Sequence, residues 1–228
     1  MHMPVNLLSW ATRPGESGTL TGDCLLVMLP EGGTMVLMTS LPEWLYPGPD
    51  GGWTADDLDA LPPDAPRRIE LIDGALVLMS PQTAFHMLVI DVLVAGIRPP
   101  AGLYVAREMS VRLNDRQRPE PDVMVVTTAP AGDLDRTYYL PGEVHLVVEV
   151  VSPDSEERDR TTKPVKYAQG GIRYLWRVER DGRAPVAYTY ELDPSLRAYV
   201  PTGVHRGRLR TDIGFPVDIE LAVLPGHS

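Results

Sequence analysis

The chain has 228 residues, enough for one sizeable hydrophobic core, and typical domain sizes favour a single domain. Its formal net charge of −10 argues against a protein that coats nucleic acid with a broad basic surface, so any nucleic-acid contact must be local. The single cysteine, Cys24, cannot form an internal disulfide, no Cys/His cluster has zinc-site spacing, and no apolar run approaches the ~20 residues that span a bilayer. We therefore expect a soluble, cytoplasmic protein with no membrane partner.

The N-terminal part of the chain differs in character from the rest. Residues 1–40 hold scattered Gly, Pro, Ser and Thr, few charges and only short apolar fragments such as "CLLVML". We predict a poorly structured N-terminal extension over residues 1–40 and a single folded domain over residues 41–228.

The first elements of the predicted domain are a short helix, a hairpin and a longer helix. "TADDLDAL" is typical of a short helix capped by Thr54. "RRIELIDGALVLMS" has two β-rich runs around Asp73-Gly74, the strongest short-range hairpin signal. "QTAFHMLVIDVLVAGI" then places apolar residues broadly at helical spacing.

Strands dominate the remainder of the chain. "LYVAREMSVRL", "PDVMVVT" and "VHLVVEVVS" are strand candidates, and the last two are Val-rich, as in central strands covered on both faces. "KPVKYAQGG" predicts a helix with Pro164 at its first position and Gly170 or Gly171 at its end. A hairpin about Asp181-Gly182 and a last strand near "FPVDIEL" follow. This order predicts an α/β (α+β mixed) fold, with one mixed sheet and helices packed on it.

A carboxylate interrupts the most apolar strand. Glu149 shares a strand face with Val147 and Val151, and a buried carboxylate must either neutralise or find a cation. Asp122 opens the preceding strand, so neighbouring strands could set it beside Glu149, and Glu70 could add a third carboxylate. Three such groups with one lysine leave about −2 by simple counting, which a divalent cation would balance. Oxygen ligands without cysteine suit Mg²⁺ or Mn²⁺.

Each of these residues also has a structural interpretation. Glu149 could form an ion pair that serves only the fold, and Asp122, which follows a proline, could be a turn residue. Lys163 and Lys166, taken singly, are typical of solvated helix lysines. His86 is more consistent with a hydrogen-bonded, partly buried residue than with a metal ligand.

Two small groups of arginines are the best local basic patches. In "HRGRLR" three arginines alternate as they would on one face of a strand, and Arg116 and Arg118 form a smaller group. Solvated edge-strand charge is the simpler interpretation of both, with nucleic-acid contact as the alternative.

Three stretches, "IELIDGALVLMSPQTAFH", "PEPDVMVV" and "VVEVVSPDSEERDRTTKPVKYAQGGIRYLW", resemble in this order the Uma-two family of restriction-endonuclease-like proteins, within the PD-(D/E)XK nuclease superfamily. The similarity spans about residues 40–222. It implies a restriction-endonuclease-like core, in which helices flank a mixed central sheet and a Mg²⁺-dependent carboxylate site lies at one edge.

The resemblance also implies roles for individual residues. Asp122 and Glu149 match the acidic pair, Glu70 the additional acid, and Lys163 a displaced lysine. The superfamily signature expects a lysine two residues after the glutamate, but position 151 is Val.

The site lysine has two candidates on the following helix. "DRTTKPVKY" sets Asp159, Lys163 and Tyr167 at successive four-residue spacings, although Tyr167 by itself is typical of a core aromatic. We prefer Lys163, with Lys166 as the alternative, because Pro164 makes the direction of the Lys163 side chain uncertain.

Three functions are compatible with these features. The first is a Mg²⁺-dependent endonuclease that hydrolyses DNA phosphodiester bonds, with Asp122, Glu149 and Glu70 at the metal and Lys163 as a further catalytic group. The second is a catalytically silent nuclease fold used for protein interaction, and the third is a phosphohydrolase of small nucleotides. A homodimer is compatible with the first, because a double-strand cut needs two sites.

The resemblance begins near Met38 and leaves the start of the chain unexplained. We expect residues 1–37 to be either a misassigned start or a flexible tail.

Overall fold

The computed structural model describes residues 24–27, 36–39, 43–45, 51–66 and 68–221. It divides into two compact units, Met1–Tyr46 and Pro47–Ser228. In the first unit, strands β1 (Cys24–Val27) and β2 (Val36–Thr39) pair antiparallel, and a 3-10 turn spans Glu43–Leu45. Most of the predicted extension and the predicted tail lie outside the described residues, so both stay predictions.

The second unit contains the remaining helices and strands. Its α-helices are α1 (Ala55–Asp59), α2 (Ala84–Gly96) and α3 (Lys163–Gln169), with a π-helical segment at Arg158–Thr162 and 3-10 turns at Pro130–Gly132 and Pro141–Glu143. Its strands are β3 (Ile69–Ile72), β4 (Ala75–Leu78), β5 (Tyr104–Arg107), β6 (Ser110–Val111), β7 (Val123–Val126), β8 (Tyr138–Tyr139), β9 (Val144–Val150), β10 (Tyr174–Asp181), β11 (Ala184–Asp193), β12 (Ala198–Arg206), β13 (Arg208–Asp212) and β14 (Pro216–Glu220).

Six of these strands form a mixed central sheet in the order β12-β11-β10-β9-β7-β5. β9 and β10 are parallel, and the other neighbours are antiparallel. The two Val-rich strands β7 and β9 lie inside the sheet and are buried almost throughout, as their composition predicts. The mixed α/β fold class expected from the order of elements is confirmed.

Helices cover both faces of the sheet. On one face, α2 and the hairpin β13–β14 pack against the sheet, where Leu93 and Ile219 meet Val148 and Trp176. On the other face, Tyr167 of α3 packs with residues that include Val147 of β9. No helix in the described residues is long and apolar enough to cross a membrane.

Local signals fix several elements as the sequence predicts. Thr54 caps α1, and the Asp57 side chain accepts a hydrogen bond from the Thr54 N–H at 2.7 Å. The β3–β4 turn uses Asp73 at φ 52° and Gly74 at φ 77°, the left-handed pair that a tight hairpin requires. The hairpin at Asp181-Gly182 and the strand near the C-terminus are also present.

Three local predictions are wrong. "LYVAREMSVRL" is two strands, because Glu108 adopts φ 52° and a left-handed residue cannot continue the ladder of β5 into β6. "HRGRLR" is not one strand, because Gly207 at φ 70° ends β12 and lets the chain turn into β13. Pro164 does not open the helix, because helical backbone already runs through the π-helical segment before Lys163.

The register of the central strands positions the acidic residues. Val123 of β7 lies opposite Val148 of β9, and the Asp122 N–H donates to the Val148 carbonyl at 3.1 Å. Extending this antiparallel register by one residue sets Asp122 opposite Glu149, on the face that α3 covers.

Candidate active site

Glu149 is buried and has two hydrogen-bond donors of its own. The side chain is 2% exposed, and its two oxygens contact different groups on one helix. Lys163 Nζ lies 3.0 Å from Oε2, and the Tyr167 hydroxyl donates to Oε1 at 2.5 Å. The strand therefore tolerates this carboxylate because a cation and a phenol replace the water that it loses on folding.

Lys163 lies at the centre of three carboxylates and is itself 1% exposed. Besides Glu149, its Nζ contacts Glu70 Oε1 at 2.8 Å and Asp159 Oδ1 at 3.1 Å. One ammonium thus forms ion pairs with three carboxylates and donates a hydrogen bond to Glu149. We call the set of Glu70, Glu149, Asp159 and Lys163 the acidic cluster.

The helix before and within α3 brings the cluster together. Asp159, Lys163 and Tyr167 are spaced four residues apart, so that continuous helical backbone presents them on one face. Asp159 lies in the π-helical segment, and such segments are frequent at functional sites. The Ser155 hydroxyl donates to the second oxygen of Asp159 and holds this carboxylate in place.

Asp122 has polar contacts from two different elements. The Val150 N–H on β9 donates to Oδ2 at 2.7 Å, and Nε2 of His86, in the first turn of α2, lies 3.1 Å from Oδ1. Each carboxylate oxygen has a second lone pair, so these contacts leave acceptor capacity free.

A cavity of about 180 Å³ opens beside the cluster. Its lining joins the acidic side chains Asp122, Glu149 and Asp159 to the basic side chains Arg68 and Arg158. An opening lined by both charges suits an anionic ligand accompanied by a cation.

Glu70 and Glu120 lie behind this opening. Glu70 is fully buried and is not part of the cavity lining; its Oε1 also accepts the Glu120 N–H at 2.9 Å, while Oε2 has no hydrogen-bond partner among the described residues. Burial raises the pKa of Glu120 to about 7, with Arg68 opposing and Glu70 adding to the shift. Carboxylates are therefore crowded on this side of Lys163.

Burial and like charge shift the ionisation of the cluster. Burial raises the pKa of Glu149 well above its ordinary value, and Asp159, Asp122 and Glu70 add to the shift while Lys163 opposes it. Burial also raises the pKa of Asp159, against the pull of Lys163. Burial is the largest cause of both shifts, and repulsion between neighbouring carboxylates adds to it.

The cation and the phenol of the cluster keep their protons. Burial alone would lower the pKa of Lys163, but the combined attraction of Glu149, Glu70 and Asp159 raises it well above its ordinary value. Burial and the neighbouring carboxylates raise the pKa of Tyr167 as well. Lys163 is therefore a permanent ammonium, and Tyr167 a permanent hydrogen-bond donor, at neutral pH.

The structure brings together all four residues that the sequence singled out as site candidates, with Lys163 touching Glu70 and Glu149, and Asp122 beside Glu149. Lys166, the alternative lysine, lies outside the cluster, where its Nζ contacts Asp73 Oδ1 at 2.5 Å in the β3–β4 turn.

Most arginines of the basic patches that the sequence suggested are paired within the protein. Arg208 and Arg210 both contact Asp218, and Arg206 contacts Asp181, which agrees with solvated edge-strand charge. Arg118 departs from both interpretations, because it is 3% exposed and forms a two-point contact with Asp59.

Sequence reasoning did not assign Asp159, Tyr167 or His86 to the site. The four-residue spacings from Lys163 carried a signal for Asp159 and Tyr167. The contact between His86 and Asp122 depends on how α2 docks on the sheet, and no local pattern could have revealed it.

The pair of Asp122 and Glu149 could hold a divalent metal. No three His, Cys, Asp or Glu side chains converge as a ready-made metal site in the part of the chain that the structure describes. Mg²⁺, however, often takes only one or two protein carboxylates and completes its shell with water and phosphate oxygens. Asp122 and Glu149 both line the cavity and retain free lone pairs, and the cluster carries surplus negative charge, so the donor set fits such an ion.

Comparison with known proteins identifies the family. The family model Uma2, described as "Putative restriction endonuclease", matches residues 55–223. Comparison with curated proteins gives no match. A solved structure from Anabaena variabilis ATCC 29413, described as a putative nuclease belonging to DUF820, has a TM-score of 0.52 at 15% identity, covering 70% of this chain and 88% of that chain. That likeness supports the fold, and because the Uma2 model matches most of the sequence, the chain belongs to the Uma2 family of putative restriction endonucleases.

Proposed function

We propose that this protein is a Mg²⁺-dependent endonuclease that hydrolyses DNA phosphodiester bonds and accepts Mn²⁺ in place of Mg²⁺. The observation that carries the proposal is the buried ammonium of Lys163, which contacts three carboxylates beside a cavity that Asp122 also lines. A surplus of buried acid at a cavity is costly for stability and is typical of a functional site.

Asp122 and Glu149 would hold the metal in this cavity. A bound Mg²⁺ would polarise the phosphoryl oxygen and lower the pKa of a bound water. The cavity lining reaches Asp122 and Glu149 but not Glu70, so Glu70 acts by positioning Lys163 and, through it, Glu149.

Lys163 would supply fixed positive charge at the reaction centre. Its ammonium is permanently charged and held by three carboxylates, so it needs no reorganisation when negative charge develops on the phosphoryl group. Tyr167 keeps Glu149 oriented by donating to the oxygen that Lys163 leaves free.

The basic lining of the cavity supports an anionic substrate. Arg158 and Arg68 lie on the same cavity as the carboxylates. The shielded Nε of Arg158 has no hydrogen-bond partner in the described ranges, whereas the Nε of Arg68 lies 3.5 Å from Glu120 Oε1. Guanidinium groups contact phosphate oxygens well, and backbone phosphate contacts carry no sequence preference. DNA is the substrate proposed from the family, and a homodimer and a cytoplasmic location stay predictions.

One observation favours a second candidate, a catalytically silent fold. Both oxygens of Glu149 already accept hydrogen bonds from Lys163 and Tyr167, so the strand carboxylate is satisfied without a metal. A module of this kind would keep the cluster for the fold and bind partners elsewhere. The third possibility, a small-nucleotide phosphohydrolase, is compatible with the modest cavity of about 180 Å³.

The test compares the purified protein with Glu149→Gln and Lys166→Met on plasmid DNA and single-stranded oligonucleotides, with Mg²⁺, with Mn²⁺ and with a chelator. We expect cleavage that requires metal, a loss of about 10²–10³-fold in rate for Glu149→Gln, and no loss for Lys166→Met. Lys166→Met is the control because Lys166 lies on the helix that carries Lys163 but pairs outside the cluster. Cleavage in the chelator, or equal rates for all three proteins, would contradict the proposal.

A stability measurement separates the candidates independently of substrate. At about 100 times its Kd, Mn²⁺ should raise the free energy of unfolding of the wild type by about 2.7 kcal/mol, and of Glu149→Gln by much less. The absence of stabilisation together with the absence of cleavage would favour the silent fold. Nucleotide turnover without DNA cleavage would favour the phosphohydrolase.

A further inference from the structure

His86 is a buried polar residue for which the proposed reaction has so far supplied no role. It lies in the first turn of α2, where the Thr83 hydroxyl accepts its backbone N–H at 3.3 Å, and it is 7% exposed. Its ring lines the same cavity as Asp122 and Glu149.

The contact with Asp122 indicates which ring nitrogen carries the proton. Nε2 lies 3.1 Å from Asp122 Oδ1, and an ionised carboxylate only accepts hydrogen bonds. We therefore infer that Nε2 carries a proton in both the neutral and the charged ring. Nδ1 is shielded from solvent and has no hydrogen-bond partner within the described segments, so no neighbouring group competes for the orientation of the ring.

The contact completes a two-sided hold on Asp122. The backbone N–H of Val150 donates to Oδ2 from the sheet, and the His86 ring contacts Oδ1 from α2, so rotation of the carboxylate plane would disturb one of the two contacts. Outer groups of this kind tune a metal ligand by orienting it, and their loss typically weakens metal binding by 10–100-fold.

We propose that His86 is a positioning residue, which acts through Asp122 by donating a hydrogen bond from Nε2 and so presents the carboxylate to a divalent metal in the cavity. The inference rests on the proposed metal-dependent function. It assigns His86 a donor role, and neither metal ligation nor proton transfer to substrate is needed from the ring.

Two polar variants test the donor role. In His86→Gln the amide nitrogen lies as many bonds from Cβ as Nε2 does, so it can still reach Asp122. In His86→Asn the amide nitrogen corresponds to Nδ1 and falls short. Met87→Ala, at a half-exposed position next along the same helix, is the control for disturbance of α2.

The first readout is binding of Mn²⁺ alone to the full chain, measured by loss of the free-ion signal in electron paramagnetic resonance. We expect the Kd for Mn²⁺ to rise about 10–100-fold in His86→Asn and to stay within about threefold of the wild type in His86→Gln. Met87→Ala should match the wild type. Thermal melting in metal-free buffer shows whether the variants are folded.

The second readout measures kcat and KM for DNA cleavage separately. His86→Asn should lower kcat for DNA cleavage and leave KM unchanged, because His86 acts through Asp122 and a general loosening of the cavity would move KM too. Mn²⁺ binding by His86→Asn at wild-type strength would overturn the inference, and so would equal weakening in both polar variants. A wild type that binds no Mn²⁺ would overturn the proposed metal function and the inference with it, whereas strong wild-type binding unaffected by His86→Asn would overturn the inference alone.

Discussion

Two buried cations in this protein have opposite surroundings. Arg118 faces one carboxylate: its guanidinium makes a two-point contact with Asp59 at 2.8 and 2.9 Å, and it also donates to the Ala55 carbonyl. Lys163 faces the three carboxylates of the acidic cluster. The Arg118 contact is balanced in charge, and the Lys163 contact is not.

The difference separates an ion pair that serves the fold from the one that we propose serves the function. The Arg118 contact ties α1 to the chain before β7, and the stacking of Arg118 over Tyr138 at 4.8 Å adds packing. Nothing in that arrangement needs a further ion. The acidic cluster has three carboxylic acids around one ammonium; burial is the main cause of the raised pKa of Glu149 and Asp159, and repulsion from neighbouring carboxylates adds to it. A buried cation that faces several carboxylates beside a cavity is the arrangement typical of a functional site.

The largest expected effect follows from removing the central cation. Lys163→Met fills a similar volume but leaves Glu70, Glu149 and Asp159 buried without their ammonium. Uncompensated buried charge costs about 3–5 kcal/mol, so the free energy of unfolding should fall by that amount. Urea unfolding followed by circular dichroism measures the loss.

The matched control is Lys166→Met, on the same helix. Lys166 pairs with Asp73, whose side chain is 63% exposed, and exposed pairs contribute about 0–1 kcal/mol. If the two variants lost the same stability, the acidic cluster would be no more than an ordinary set of ion pairs.

Removal of the cation from the balanced contact between Arg118 and Asp59 should lower the free energy of unfolding by less. In Arg118→Met, Asp59 keeps access to water, because its side chain is 39% exposed, and the loss is set by the missing hydrogen bonds of the guanidinium. Bonds to charged groups contribute about 1.5–3 kcal/mol, so a loss of about 2 kcal/mol is expected. Cleavage per folded molecule should stay unchanged, since Arg118 lies outside the catalytic cavity.

The pH dependence of that loss provides a check. Arg118 hydrogen-bonds to Asp59 and so holds the pKa of this carboxyl below its ordinary value of 3.8, partly against burial. A lowered folded-state pKa gives stability that is complete above the unfolded-state value and disappears as the pH falls through the folded-state value. The gap between wild type and Arg118→Met should therefore be constant above about pH 5 and narrow below pH 4. A gap that widened in acid would contradict the assignment of this contact.

The sequence predicts those parts of the fold that depend on local signals. The Thr54 cap and the Asp73-Gly74 turn need only neighbouring residues, and both form as expected. The pairing of Asp122 with Glu149 was within reach because neighbouring central strands commonly pair. The left-handed backbone of Glu108 could not be predicted, because a non-glycine residue adopts positive φ in response to its surroundings and the local sequence gives no signal for it.

The contacts of the site that follow from helical spacing were predictable, and those that depend on tertiary packing were not. Four-residue spacing links Lys163 to Asp159 and Tyr167, so their contacts follow once the helix is assumed. The burial of Arg118 and the contact of His86 with Asp122 arise from the docking of α1 and α2, which is tertiary information. Sequence reasoning thus named four residues that the fold brings together, and it did not assign Asp159, Tyr167 or His86 to the same place.

The smallest expected effect concerns Arg158, a cation with no carboxylate partner among the described residues, whereas Lys163 has three. Arg158 is half-buried on the cavity, and it has no ion pair within the described ranges. Arg160, two residues later, contacts both Glu156 and Glu179. If unbalanced charge marks function, Arg158→Leu should raise KM for DNA about 5–30-fold, reflecting about 1–2 kcal/mol for a lost phosphate contact, with little change in kcat. It should also reduce the slope of log KM against log salt by about 1, as expected for one phosphate contact fewer.

Arg160→Leu is the control and should change neither KM nor the salt slope, because the charge of Arg160 is already balanced by carboxylates of the protein. Equal effects of the two substitutions on KM and on the salt slope would mean that charge balance does not distinguish functional from structural cations in this protein.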